Sequence, residues 1–149
     1  MSIPSSRTPR TGLVGYVPGA WDMFHIGHLN ILRRAKEQCD HLIAGVVTDE
    51  VLLASKGKLP VVPLEERLEI VGALRCVDEV VTDIAADKVV MWRELGGFDV
   101  LFKGDDWKGT PKGDRLETGM ASVGAKVMYF PYTVHTSSTL LRAYISGNA

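Results

Sequence analysis

Residues 13–28 read Leu13-Val-Gly-Tyr-Val-Pro-Gly-Ala-Trp-Asp-Met-Phe-His-Ile-Gly-His28. Leu13 to Val17 is a short apolar run closed by Pro18-Gly19, the pattern of a buried strand that ends in a turn. From about Ile26 the spacing becomes helical. His28, Leu32, Ala35 and Cys39 fall on one face, and Arg33, Arg34, Lys36 and Glu37 suit solvent. A strand, a tight turn and a helix are the opening unit of an alternating α/β chain. Two histidines, His25 and His28, stand at the turn.

The alternation continues outward. His41 to Val47 is a second strand, and the unbroken run Leu42 to Val47 is that of a parallel sheet covered on both faces. Thr48-Asp49-Glu50 ends it and can cap a short helix. Ser55 to Pro60 is a polar loop carrying Lys56 and Lys58. Pro63 suits the first turn of a helix whose apolar face is Leu64, Leu68, Val71 and Leu74. Glu79 to Thr82 is a third strand. Asp87 to Leu95 is helical and stops at Gly96-Gly97. Val100 to Phe102 is a fourth strand, followed by Gly104-Asp105-Asp106-Trp107. A helix is predicted over Arg115 to Val123, a fifth strand over Lys126 to Phe130 and a last helix over Ser138 to Ser146. The pattern predicts a Rossmann-like α/β fold: a parallel five-stranded sheet with right-handed crossovers and helices on both faces.

A chain of 149 residues fits one domain with a full hydrophobic core. The predicted division is a flexible N-terminal tail, residues 1–11, and a single domain over residues 12–149. The tail has no hydrophobic segment of the secretory kind, so the expected location is cytoplasmic. No apolar run approaches the roughly 20 residues that span a bilayer, and no membrane partner is expected. Net charge is −1, from 17 basic and 18 acidic residues. That balance argues against a nucleic-acid partner, which calls for a basic surplus. A small phosphorylated ligand needs only a few well-placed cations. Cys39 and Cys76 form no Cys-x-x-Cys pair and read as buried, reduced thiols in helical segments.

Open sheets of this kind bind ligands at the carboxyl ends of their strands. The unusual polar residues fall there: His25 and His28 after the first strand, Asp105 and Asp106 after the fourth, Ser137 to Thr139 after the fifth. Histidines three apart on a helix lie on one face, roughly 5–6 Å between Cβ atoms. Free N–H groups and the helix dipole at that first turn favour an anion, and Gly27 has no side chain to block its approach. A metal pair and plain packing are the competing readings, and His-x-x-His alone is a weak zinc signal. The hydroxyls from Thr133 to Thr139 can cap a helix or form a second anion cradle. Arg67 is either a surface charge or a phosphate clamp. Asp105-Asp106 can be turn chemistry, a magnesium site or acceptors for a sugar or base.

Gly19-Ala-Trp-Asp-Met-Phe-His-Ile-Gly-His28 resembles the signature of the cytidylyltransferase-like nucleotidyltransferases, whose core is His-x-Gly-His. Thr48-Asp49-Glu50, Glu66-Arg67, Val77-Asp78-Glu79-Val80 and Gly104-Asp105-Asp106-Trp107 match in order, over about residues 12–146. Gly-Asp-Asp-Trp is similar to the glycerol-3-phosphate cytidylyltransferases within that family. The resemblance implies direct nucleotidyl transfer to a phosphorylated alcohol, with release of pyrophosphate, magnesium carried with the nucleotide, and a homodimer. It implies catalytic roles for His25, His28, Lys56 and Arg67. Gly19, Ala20, Trp21, Gly27, Asp106, Thr133, Ser137, Ser138 and Thr139 would bind the nucleotide. Asp22, Lys58, Lys88 and Trp107 would bind the acceptor. No residue is expected to hold a metal permanently. The chain departs from the family at the last motif, usually Arg-Thr-x-Gly-x-Ser-Thr-Thr. Here Tyr132 replaces the arginine, His135 the glycine and Ser138 a threonine. Ala20 stands where the similar enzymes carry threonine.

The expected reaction is transfer of CMP from CTP to a small phosphorylated alcohol such as glycerol 3-phosphate. The attacking phosphate oxygen is already ionised at neutral pH, so the task is to align two anions and stabilise the added charge. Adenylyl transfer from ATP to a sugar phosphate, a flavin mononucleotide or a pantetheine phosphate is the second enzymatic reading. A catalytically silent nucleotide-binding module is the third.

Overall fold

The computed structural model describes residues 10–131 and 138–147, apart from the side chains of Ser138 and Thr139. Its elements are β1 (Val14–Gly19), α1 (Ile26–Glu37), β2 (His41–Val47), α2 (Asp49–Lys56), α3 (Leu64–Gly72), β3 (Glu79–Asp83), α4 (Lys88–Glu94), β4 (Val100–Gly104), a 3-10 turn (Asp105–Trp107), α5 (Pro111–Ser122), β5 (Lys126–Phe130) and α6 (Ser138–Ile145). Strands pair in the order β3-β2-β1-β4-β5, and all pairs are parallel. β1 runs beside β2 from Val14↔His41 to Gly19↔Val46 and beside β4 at Gly15↔Val100 and Tyr16↔Leu101. The chain reverses its lateral direction between β1 and β4. The carboxyl ends of those two strands therefore open a crevice at the topological switch point.

Alternation along the strands divides the core between two faces. Val17, Leu42, Ala44, Val46 and Phe102 pack with Leu32 and Ala35 of α1 and Val71 of α3. Tyr16, Ile43, Val81 and Leu101 pack with Met91 of α4 and Leu116 and Met120 of α5. Every residue of β2 is buried, as its continuous apolar run requires of a strand covered on both sides. Among the described residues no helix is long and apolar enough to cross a membrane.

Three local readings change. α5 begins at Pro111, not Arg115, because Thr110 accepts the Gly113 N–H and proline occupies the first helical turn. Cys39 and Cys76 are unpaired and half-buried just beyond helix ends, rather than inside them. Arg10, placed in the tail by sequence, is docked. Its guanidinium pairs with Glu79 at 2.8 Å and also donates to the Leu95 carbonyl. Burial alone would raise the Glu79 carboxyl, but Arg10 and His41 outweigh it and hold that group below its ordinary range.

Candidate active site

The turn after β1 is built on two non-glycine residues in the left-handed region, Trp21 (φ 54°) and Met23 (φ 48°). Such backbone is costly and persists where its surroundings fix it. Trp21 is buried and donates its indole N–H to the Gly45 carbonyl at 2.9 Å. The turn delivers His25 to the N-cap of α1 and His28 to its third helical position. The two rings form a capping box normally made by Ser or Thr with Glu or Gln. His25 Nδ1 accepts the Gly27 N–H at 3.1 Å, and His28 Nδ1 accepts the His25 N–H at 3.2 Å. Both Nδ1 atoms are therefore acceptors, which puts the proton of each neutral ring on Nε2. The rings stack with centroids 3.9 Å apart. Two Nε2–H donors are thus offered side by side at a helix N-terminus. The Gly27 N–H is given to His25, and Gly27 places no side chain beside the rings.

Trp21 and Phe24 stand 5.5 and 5.2 Å from the His28 ring, centroid to centroid. This apolar backing lowers the His28 pKa to about 4, chiefly by burial. His25 and Lys56 add to the effect, and Asp22 opposes it. Burial also lowers the His25 pKa. At neutral pH both rings are hydrogen-bond donors rather than cations.

Beneath the turn, Arg67 is fully buried. It is neither a surface charge nor open to the crevice. It donates to the carbonyls of Val62 (2.9 Å), Ala20 (2.7 Å) and Val47 (2.8 Å), and pairs with Asp49 at 2.6 Å. It ties the end of β2, the histidine turn and the loop before α3 together. Asp22 is likewise buried. Its oxygens accept the Val61 and Val62 N–H groups at 2.9 and 2.8 Å and meet Arg142 of α6 at 2.5 Å. Arg67 and Asp22 position the site from below. Lys56 is exposed at the last turn of α2, which Gly57 closes in a left-handed conformation, and Lys58 is exposed on the following loop.

Across the crevice, Lys88 pairs with buried Asp83 at 2.9 Å and donates to the Ala85 carbonyl at 2.7 Å. Asp83 also accepts the Tyr16 phenol proton at 2.5 Å. Tyr16 reaches it by crossing Gly45, where a Cβ would lie 2.0 Å from the phenol oxygen. Burial and Asp83 push the Tyr16 pKa well up, so the phenol remains a donor. Asp105 and Asp106 are exposed in the 3-10 turn, and Trp107 is half-buried behind them. Lys103, on β4, holds its ammonium 3.9 Å from the centre of the Trp107 ring. Its pKa is lowered by burial first. Asp106 opposes that, and the charges of Lys56, Lys88 and Lys112 reinforce it. Sequence reasoning passed over Lys103, Tyr16, Asp83 and Arg142. A charge inside the apolar strand Val100–Gly104 was the available signal for the first.

The structure thus brings His25, His28 and Lys56 to one side of the crevice and Lys88, Asp106 and Trp107 to the other. Gly19 closes β1 between them, where a Cβ would lie 2.8 Å from the Trp21 indole. Thr133 and Ser137, with Tyr132 and His135, lie outside the described residues. Ser138 and Thr139 open α6.

Residues 16–146 match the cytidylyltransferase-like family. The chain belongs to that family. Among its relatives is glycerol-3-phosphate cytidylyltransferase from Bacillus subtilis, 33% identical over 129 residues, which are 87% of this chain and 94% of the relative. Ethanolamine-phosphate cytidylyltransferase from Arabidopsis thaliana is 42% identical over 95 residues, 61% of this chain and 22% of the relative. FAD synthase from Pyrococcus abyssi is 45% identical over 65 residues, 44% of each protein. In these last two the matched stretch spans less than half of the relative's length. The fold resembles that of the lipopolysaccharide core biosynthesis protein from Thermoplasma volcanium, with a TM-score of 0.69 at 22% identity over 85% of this chain and all of that one.

Proposed function

We propose that this cytidylyltransferase-like protein transfers CMP from CTP to a small phosphorylated alcohol such as glycerol 3-phosphate. The observation that carries the reading is the pair of neutral imidazoles at the start of α1. Their Nε2–H groups are presented together at the switch-point crevice, opposite a group of lysines. The alignment over 94% of the Bacillus subtilis glycerol-3-phosphate cytidylyltransferase supports the choice of substrates, as does Gly104-Asp105-Asp106-Trp107 at the end of β4.

The chemistry follows from the groups present. An acceptor phosphate oxygen attacks the α-phosphorus of the nucleotide. The new P–O bond forms as the bond to the bridging α–β oxygen breaks, and pyrophosphate leaves with that electron pair. The nucleophile is already ionised, so no side chain has to remove a proton. His25 and His28 donate Nε2–H bonds to the triphosphate as charge builds. Donors that are neutral beforehand and fixed by the capping box need no reorganisation at that moment. Lys56 supplies positive charge beside them, and Lys88, held by Asp83, does so on the acceptor side. Among the described residues no three His, Cys, Asp or Glu side chains group to cage a metal ion. Magnesium carried on phosphate oxygens and water asks for no such cage, and it would neutralise charge on the leaving pyrophosphate. A homodimeric, cytoplasmic enzyme belongs to the same proposal.

Adenylyl transfer is the second reading, favoured by the likeness to FAD synthase over 65 residues. A pyrophosphate-release screen of four nucleoside triphosphates against phosphorylated alcohols, with magnesium and with EDTA, tests both. CTP with glycerol 3-phosphate is expected to give magnesium-dependent release. A strong signal with ATP and none with CTP overturns the proposal, and silence with every pair points to a binding module.

A further inference from the structure

Lys103 is a charge in a place built for apolar residues. It lies two residues after buried Leu101 on the same face of β4, one residue before the strand's end at the switch point. Four other partly buried cations meet a carboxylate: Arg10 with Glu79, Lys36 with Asp78, Lys88 with Asp83, Arg142 with Asp22. Arg34, at the opposite end of α1 from the histidines, lies over the Phe130 ring at 5.0 Å and reaches the Pro131 carbonyl. Among the described residues Lys103 forms no ion pair. Its ammonium rests instead on the Trp107 ring at 3.9 Å, and Lys112 approaches the same ring at 5.6 Å. A cation withdrawn from water without a counter-charge is costly, and an indole face offsets only part of that.

The Trp107 platform is fixed. Its carbonyl accepts the Thr110 N–H at 3.0 Å and the Thr110 hydroxyl at 2.6 Å. Gly113 lets α5 close on it, since a Cβ there would lie 2.1 Å from that carbonyl oxygen. Exposed Asp106 favours the Lys103 charge, the charges of Lys56, Lys88 and Lys112 oppose it, and Lys56 in turn acts on His28. The chain of neighbours runs from the imidazole pair to Lys103 within one crevice. Asp106 is exposed and forms no ion pair with Lys103 among the described residues, which leaves room for a ligand anion against the ammonium.

We propose that Lys103, carried on Trp107, is the residue that selects a phosphate on the acceptor, with Lys88 and Lys112 flanking it. This rests on the nucleotidyl-transfer reading. It assigns the imidazole side of the crevice to the nucleotide and the β4 side to the incoming phosphate. Lys103 would then hold the attacking group against the like charge of the triphosphate, which is the step two anions resist most.

Lys103→Met and Lys103→Arg test it, since Met keeps a flexible chain packed on the indole. Lys103→Met is expected to raise the KM for glycerol 3-phosphate about tenfold or more, the scale of one hydrogen bond to a charged group. The KM for CTP should stay within about twofold, and Lys103→Arg should recover most of the loss. Calorimetric binding of glycerol 3-phosphate and of inorganic phosphate, without nucleotide, reads the same subsite independently of turnover. Weaker binding of both by Lys103→Met supports the proposal even if the acceptor or nucleotide assigned above is wrong. Unchanged acceptor binding, an increase confined to the KM for CTP, or no binding of either phosphate to the wild type overturns it.

Discussion

Replacing His28 by glutamine separates the histidine's burial from its place in the helix cap. Glutamine at the third helical position can still reach back to the N-cap N–H, so the start of α1 is retained while the titrating ring is lost. The His28 pKa falls from its ordinary 6.5 to about 4 in the folded protein, chiefly through burial against Trp21 and Phe24. The unfolded chain therefore binds a proton first as pH drops, and folding loses stability across the interval between the two values. At pH 7 and above the group contributes almost no penalty. The loss contributed by His28 is about 0.8 kcal/mol at pH 6, about 2 kcal/mol at pH 5 and about 3 kcal/mol at pH 4, each pKa unit being worth about 1.4 kcal/mol. Below pH 4 both states are protonated and the loss levels off. Urea unfolding of wild type and His28→Gln at pH 7, 6, 5 and 4 reads this directly, because the carboxylates common to both proteins cancel. The variant should gain on the wild type by about 3 kcal/mol over the series. Parallel stability curves would refute the burial argument, as would an NMR titration placing the His28 ring at pH 6 or above. The variant should also lose roughly a hundredfold in turnover through removal of one preorganised donor.

Arg67→Met should cost about 3–5 kcal/mol, since it strips donors from three carbonyls and leaves Asp49 without its cation; an unchanged urea midpoint would sink the structural role given to this arginine. Lys56→Met, at an exposed position, should leave stability within about 0.5 kcal/mol while kcat/KM for the nucleotide falls at least about tenfold; normal kinetics would remove Lys56 from the site. Light scattering should give twice the 16.3 kDa chain mass, with exposed Leu53, Leu59, Val61, Tyr144 and Ile145 as the apolar surface available for pairing; a monomer at micromolar concentration would exclude the homodimer.

The histidine pair was legible because two independent patterns met at one point: the apolar run of β1 ended where the helical spacing of α1 began. Their chemical state was not, because tautomer and proton affinity depend on Trp21 and Phe24 folding over the ring, and on a backbone N–H that turns toward Nδ1. The Tyr16–Asp83–Lys88 network was equally hidden. Tyr16 and Asp83 are 67 residues apart and meet only because Gly45 lets a phenol cross β2.

Arg67 and Lys103 teach a different lesson, since the sequence did carry their positions. Arg67 lies three residues after Leu64 and four before Val71, on the apolar face of α3 rather than the solvent face. Lys103 lies two after Leu101, on the inward side of β4. Each is a cation at a position where the local period calls for an apolar residue. A buried, unmatched charge is selected against unless something compensates it, so each interruption implies a specific partner. For Arg67 that partner is a ring of backbone carbonyls and Asp49, and its role is to hold the loops in place. Lys103 rests on an indole among other lysines, with exposed Asp106 acting on it but no carboxylate in ion-pair contact among the described residues, so its close counter-charge is assigned to a bound ligand. The same break in pattern therefore separates a positioning residue from a ligand-binding one, according to whether the fold itself supplies the opposite charge.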